Sequence, residues 1–183
     1  MSKNLYTADP HFFHTNIIKY CNRPYANAHE MNEAIVANWN SKVDPQDTVY
    51  CLGDFSFGTV DQTIAIRRRL NGKICLIRGN HEKPAVEAFI KDKTIFEWIR
   101  DVYTVKEGKQ SIFLSHYAHR VWNKSHHGVY HLYGHSHGTL PDLEDSLSFD
   151  VGLDCHDYFP LTFEEVREIM LTKNFKPIDH HGT

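Results

Sequence analysis

The sequence has no C-x-x-C pair, no surplus of basic charge, and no apolar run near the roughly 20 residues of a membrane span. Its four cysteines (Cys21, Cys51, Cys75, Cys155) are widely spaced. That argues against a disulfide framework or a zinc knuckle, and for a reducing compartment. Cys51 and Cys75 stand inside apolar runs and are expected as buried thiols. Met1 to Tyr6 leads into polar sequence without a signal-peptide core, so a cytoplasmic location and no membrane partner are expected. A formal charge of −3 gives no footprint for tight duplex nucleic-acid binding. A chain of 183 residues, 41% hydrophobic, can bury one core. No linker, repeat or composition shift divides it, so residues 1–183 read as a single domain.

What the chain does have is histidine, fourteen in all, and apolar runs that empty into polar residues. Strands are expected over Lys3–Ala8, Thr48–Leu52, Lys73–Ile77, Val129–Tyr133 and Leu147–Leu153. A hairpin is expected over Thr94–Ser115, broken at Glu107-Gly108-Lys109. Thr48 to Leu52 is continuously apolar, the mark of a strand buried on both faces. Helices are expected over Phe12–Tyr20, Ala28–Lys42, Val60–Leu70, Pro84–Ile90 and Phe163–Leu171, the last opened by a Thr162/Glu165 capping box. Arg67-Arg68-Arg69 reads as a solvated face rather than a nucleic-acid patch, because adjacent helical residues point in different directions. His180 and His181, in the polar tail, read as decoration. Strands alternate with helices in the first half and dominate the second, an α/β pattern with a mixed sheet.

Five strand ends carry ligand-type residues: Asp9-x-His11, Gly53-Asp54, Gly79-Asn80-His81, His116 and Gly134-His135-x-His137. Each alone has an ordinary use, as a cap, a turn or a satisfied core histidine. Together they matter, because sites in α/β sheets form at the carboxyl ends of strands. In an extended segment residues i and i+2 project to one side, so His135 and His137 can reach one site. The set Asp9, His11, Asp54, Asn80, His116, His135 and His137 offers only oxygen and imidazole donors. That suits Mn, Fe, Ni, Co or Zn. It exceeds the four ligands of a structural zinc and suits two metals sharing a carboxylate.

The series D-x-H, G-D, G-N-H, a lone H and G-H-x-H resembles the calcineurin-like metallophosphoesterase superfamily. Asn16-Ile17-Ile18, Cys21-Asn22-Arg23-Pro24, Gly53 to Gly58, His116-Tyr117 and Arg120 to Asn123 are similar to a small single-domain bacterial and phage branch. The resemblance implies an α/β fold, a two-sheet β-sandwich flanked by helices in four αββα layers. It implies Asp9, His11 and His137 on one metal, Asn80, His116 and His135 on a second, Asp54 bridging them, and His81 as the catalytic histidine. Pro10 departs from the Thr, Leu or Ile often found there.

The expected function is that of a metal-dependent phosphoric ester hydrolase with two divalent ions, manganese favoured. The substrate would be a nucleotide or small organic phosphodiester, attacked by a hydroxide shared between the metals. His81 would help the leaving oxygen. Two dications would also turn the formal −3 into a net positive charge concentrated at one cleft. Arg120 and, more weakly, Arg23 are candidates for a phosphate oxygen, with His14, Tyr117 and His156 behind them. Asp150 and Asp154 are expected to fix the loop after the last strand. The alternatives are a phosphomonoesterase or nucleotidase, and a non-catalytic scaffold of the same fold. The intact ligand series argues against the scaffold.

Overall fold

The structure, a computed structural model, describes residues 2–178; His180 and His181 lie outside them. In chain order the elements are β1 (Asn4–Thr7), α1 (Thr15–Tyr20), α2 (Ala28–Lys42), β2 (Thr48–Cys51), α3 (Val60–Arg69), β3 (Lys73–Ile77), α4 (Lys83–Lys91), β4 (Trp98–Arg100), β5 (Val102–Glu107), β6 (Gln110–Ser115), β7 (Tyr130–Tyr133), β8 (Ser148–Asp150), β9 (Leu161–Thr162) and α5 (Phe163–Leu171). They make two sheets, ordered β4-β3-β2-β1-β9 and β5-β6-β7-β8. In the first, β1 to β4 are parallel and β9 runs antiparallel along β1. In the second, the β5–β6 hairpin is extended by β7 and β8, parallel to β6.

The period-2 alternation of the first sheet divides the core in two. Leu5, Val49, Cys51, Ile74 and Leu76 pack with Ile35 and Trp39 of α2, Ile64 and Ile66 of α3, and Ala85 and Ala88 of α4. Tyr6, Tyr50, Leu52, Cys75 and Ile77 pack with Val105, Ile112, Leu114, Leu132 and Phe149 of the second sheet. The uniformly apolar Thr48–Leu52 run is thus explained: one face meets helices and the other meets a sheet. Trp39 is fully buried, and its indole N–H donates to the Asn71 carbonyl. The expected α/β architecture of two sheets flanked by helices is observed.

The layers differ in detail. Val166 and Met170 of α5 belong to the core between the sheets, with the expected capping box at Thr162. Segment 116–128, which carries a 3₁₀ turn at Ser125–His127, lies against the second sheet. His119 and Trp122 of that segment lie against Phe113 and His131.

Three boundaries move for identifiable reasons. The first helix begins at Thr15 rather than Phe12, because His11 and Phe13 have left-handed backbone (φ 50° and 67°). The region read as one hairpin is divided: Trp98–Arg100 pairs parallel with β3, and the chain enters the other sheet just past Asp101. The strand expected to reach Leu153 stops at Asp150, whose carboxylate accepts from the Gly152 and Gly138 N–H groups and turns the chain. The arginine run is committed within the fold. Arg67 donates to the carbonyls of Ile95, Leu70 and Gly72, while Arg68 pairs with Asp92 and Arg69 with Glu33.

Candidate metal centre

The carboxyl ends of β1, β2, β3, β6 and β7 bring the five motif junctions together. Two groups of donor atoms result, each mutually within 4.8 Å: Asp9, His11 and His137 in one, Asp54, His116 and His135 in the other. Asp54 faces both, with Oδ2 3.6 Å from His11 Nε2 and Oδ1 3.8 Å from His116 Nε2. His135 and His137, two residues apart, fall in different groups.

The backbone there is unusual. Asp9, His11, Asp54, His135 and His137 all have positive φ, between 47° and 67°. L-residues avoid this region at a cost of order 1–3 kcal/mol each, and such residues gather at functional sites. The neighbouring glycines permit the close approaches. A Cβ on Gly53 (φ +101°) would lie 2.8 Å from the Gly79 Cα, and one on Gly134 would lie 2.6 Å from Asp9 Oδ2. Pro10 sits between two left-handed residues, and its carbonyl accepts from Arg23.

Hydrogen bonds set the donor atoms. Carbonyls only accept, so His116 Nδ1–H donates to Leu52 (2.7 Å), leaving Nε2 as a lone pair. That lone pair faces Asn80 Oδ1 at 2.9 Å. The His116 ring nitrogen and the Asn80 side chain thus stand side by side, two groups able to ligate one cation. His137 Nδ1–H donates to Asp154 (2.7 Å), leaving its Nε2 free; carboxylate-oriented histidines of this kind are common at metal sites. Asp9 Oδ2 accepts from the His135 N–H, but Asp9 Oδ1 and both ring nitrogens of His11 are buried with no partner. Buried polar atoms without partners are costly and rare. Here they point to a ligand.

Charge says the same. Burial, with the Asp150 and Asp54 carboxylates nearby, pushes the Asp9 carboxyl well above its ordinary range. Burial holds the His11 and His116 rings below theirs, and so neutral, the metal-binding form. The cluster sets acids that repel one another beside the His11 and His116 rings, both held below their ordinary pKa. A bound cation inverts that electrostatic logic.

Cys21 lies near His137 and Asp154. However, burial pushes its thiol up to about 11, and the other two are hydrogen-bonded to each other. The donor set remains oxygen and imidazole.

The remaining candidates separate clearly. His81 is exposed in the cleft with His14 and Phe57, and its N–H donates to Asp54 Oδ1. Arg23, expected near substrate, stands behind the centre instead. It has no exposed side-chain surface, and its donors go to Asp154 and to the Asp9 and Pro10 carbonyls. Arg120 lines a different groove, with Trp122, Leu143 and Phe175. His156 donates to the Asp150 carbonyl, and Tyr117 lies edge-on to His135. Asp154 fixes His137 and Arg23, and Asp150 fixes its loop.

Sequence reasoning missed Glu82. Its buried carboxylate accepts from the N–H groups of Asp54, Phe55 and Gly79, tying two ligand loops together. Burial pushes its carboxyl up to about 7 against those hydrogen bonds. Its place directly after Gly79-Asn80-His81 was the available signal.

With this geometry in hand, comparison places the chain among known proteins. The chain superposes on AQ665 from Aquifex aeolicus, a protein of unknown function, at TM-score 0.71 and 22% identity, over 92% of this chain and all of that one. The fold is that of AQ665. Gene 66 protein of Mycobacterium phage D29 is 26% identical across 93% of this chain and 96% of its own length. The uncharacterized protein MJ1445 of Methanocaldococcus jannaschii is 47% identical over 85 residues, so the match spans about half of each chain, 45% of this one and 48% of that one. A solved archaeal phosphodiesterase overlays at TM-score 0.49 and 23% identity, over 82% of this chain and 83% of that one. No family model matches. Among the described residues, no helix is long and apolar enough to cross a membrane.

Proposed function

We propose that this protein is a metal-dependent phosphoesterase of the metallophosphoesterase superfamily, with a binuclear centre and a preference for phosphodiesters. The observation that carries the reading is one carboxylate, Asp54, facing two groups of mostly buried donors, in one of which Asp9 Oδ1 and both His11 ring nitrogens have no hydrogen-bond partner. Asp9, His11 and His137 would hold one divalent ion, Asn80, His116 and His135 the other, with Asp54 shared. Manganese is favoured, and Fe, Ni, Co or Zn also suit these donors. Two such ions supply Lewis acidity at phosphoryl oxygens and lower the pKa of the attacking water.

The chain supplies the rest. Asp154 fixes the His137 ring through Nδ1, and the Leu52 carbonyl fixes His116. His81 stands in the cleft, anchored by its backbone to Asp54, where its ring can give a proton to a departing alkoxide. Such help is worth typically about 10²–10⁴-fold.

The preference for diesters rests on what lines the cleft. Its volume is about 490 Å³, and among the described residues that form it none is Lys or Arg. A phosphomonoester carries close to two charges at neutral pH, whereas a diester carries one and asks less of fixed cations. The test is hydrolysis of bis-p-nitrophenyl phosphate beside p-nitrophenyl phosphate, by protein stripped and reloaded with Mn²⁺, with Asn80→Ala and His81→Ala as controls. Faster diester cleavage, reduced in both variants, is expected. Faster monoester cleavage would make the protein a phosphatase or nucleotidase, and no Mn²⁺-dependent turnover would refute the hydrolase reading.

A further inference from the structure

The cleft is lined by small polar side chains, Asn80, Ser136 and Thr139, and by a row of rings. The Phe57 ring lies 4.8 Å from His81. His14 stacks face to face on Phe57, with centroids 3.8 Å apart and planes within 8°. Tyr20 stands edge-on to His14 at 6.3 Å, and it is 72% exposed at the cleft. Short helix α1 holds Tyr20 there, anchored by buried Ile17. His14 Nδ1 is buried with no hydrogen-bond partner, and one face of its ring is covered by Phe57. Nothing in the proposed chemistry at phosphorus requires this row.

We propose that the Phe57–His14–Tyr20 wall seats a flat substituent of the phosphodiester, an aryl ring or a nucleobase, beside His81. The proposal rests on the phosphodiesterase reading and deepens it by naming the kind of ester group. With phosphorus at the donor clusters, a substituent on the His81 side runs over Phe57 and His14 and meets Tyr20 at the mouth. A planar group gains stacking contact along that path, and a methyl group reaches little of it. Tyr20 is a specificity-determining residue in this reading, and Phe57 and His14 are the floor beneath it.

Calorimetric binding of phenyl phosphate, thymidine 5′-phosphate and methyl phosphate to the Mn²⁺-loaded protein reads the wall without turnover. Stacking on one aromatic side chain is worth about 5- to 150-fold in affinity. The two flat ligands are expected to bind about tenfold more tightly than methyl phosphate. The ratio should fall to about one in Tyr20→Ala and persist in Tyr20→Phe, with bound Mn²⁺ unchanged in both. Equal affinities in the wild type, or a preference that survives Tyr20→Ala, would overturn the proposal. The same preparations are assayed on bis-p-nitrophenyl phosphate, which separates the two ideas. Turnover without a binding preference refutes the wall alone. A binding preference without turnover upholds the wall and refutes the hydrolase.

Discussion

Asp154 stands between buried Arg23 and half-buried His137, and substituting it should be felt in both stability and metal binding. Its carboxylate takes Arg23 Nε at 2.8 Å and Nη2 at 2.7 Å, and His137 Nδ1 at 2.7 Å. Burial alone would raise its pKa, but the hydrogen bonds from His137 and Arg23 hold it below the ordinary value. The Arg23 side chain has 0% exposure and that of Asp154 6%, so solvent screens little of the interaction. In Asp154→Ala the guanidinium keeps only the Asp9 and Pro10 carbonyls and the Met31 sulfur as partners. Breaking a buried pair from one side costs about 3–5 kcal/mol. Losing the group that orients a metal-binding histidine costs about 10- to 100-fold in metal affinity. Urea denaturation of the metal-free protein measures the first effect, and Mn²⁺ titration the second. The double variant Arg23→Leu/Asp154→Leu should recover much of the lost stability, because no charge is then left buried without a partner. A loss under about 1 kcal/mol in Asp154→Ala, with Mn²⁺ affinity unchanged, would refute the assignment of Asp154 as the residue that positions His137.

Glu82→Gln leaves one amide oxygen where a carboxylate served three N–H groups. It should cost about 2–3 kcal/mol in denaturation and weaken Mn²⁺ binding at the Asp54 side; wild-type values for both would show that the loops hold themselves. His81→Ala should retain bound metal and lose activity most strongly on esters with poor leaving groups, by about 10²–10⁴-fold. An equal loss on every leaving group would remove His81 as the proton donor. His131 is fully buried, and burial, with His119 nearby, pushes its pKa down to about 3. An ordinary histidine titrates near 6.5, so the unfolded chain takes the proton first as pH falls. The stability from neutral His131 is therefore complete above about pH 6.5 and declines from there toward pH 3. At about 1.4 kcal/mol per pH unit the loss by pH 5 is about 2 kcal/mol. His131→Gln should show a correspondingly flatter stability profile between pH 6.5 and 5; superimposable profiles would count against this.

Much of the fold was legible because it rests on local signals. Helix α2 begins at Asn27, a side-chain N-cap, and α5 opens on a capping box, so both match their expected limits. Strand β3 was bounded by its apolar run. The division at Asp101 was not legible: Trp98-Ile99 and Val102 to Val105 are both strand-forming, separated only by Arg100-Asp101, and periodicity does not say which sheet a strand joins. Strand β9, only two residues long, carries too little pattern to register. The convergence of donor-type residues was legible for a similar reason, since each followed an apolar run. Arginine placement was not. Arg23 and Arg120 look alike in sequence, and only the fold shows one buried behind Asp9 and the other on a separate groove.

The switch of sheets at Asp101 bears on how the halves of the molecule stay together. Each donor group draws from both: Asp9 and His11 follow β1 while His137 follows β7, and Asp54 follows β2 while His116 and His135 follow β6 and β7. An ion in either group would therefore be a cross-link between two sheets that the chain itself joins at two places, Asp101 and the stretch between β8 and β9. Such a link closes loops of more than sixty residues, and the entropy of closing a loop grows only slowly with its length. The proposed ions would clasp the sandwich at the edge that carries the donor groups, and their loss would loosen the seam between the sheets before it disturbed either sheet.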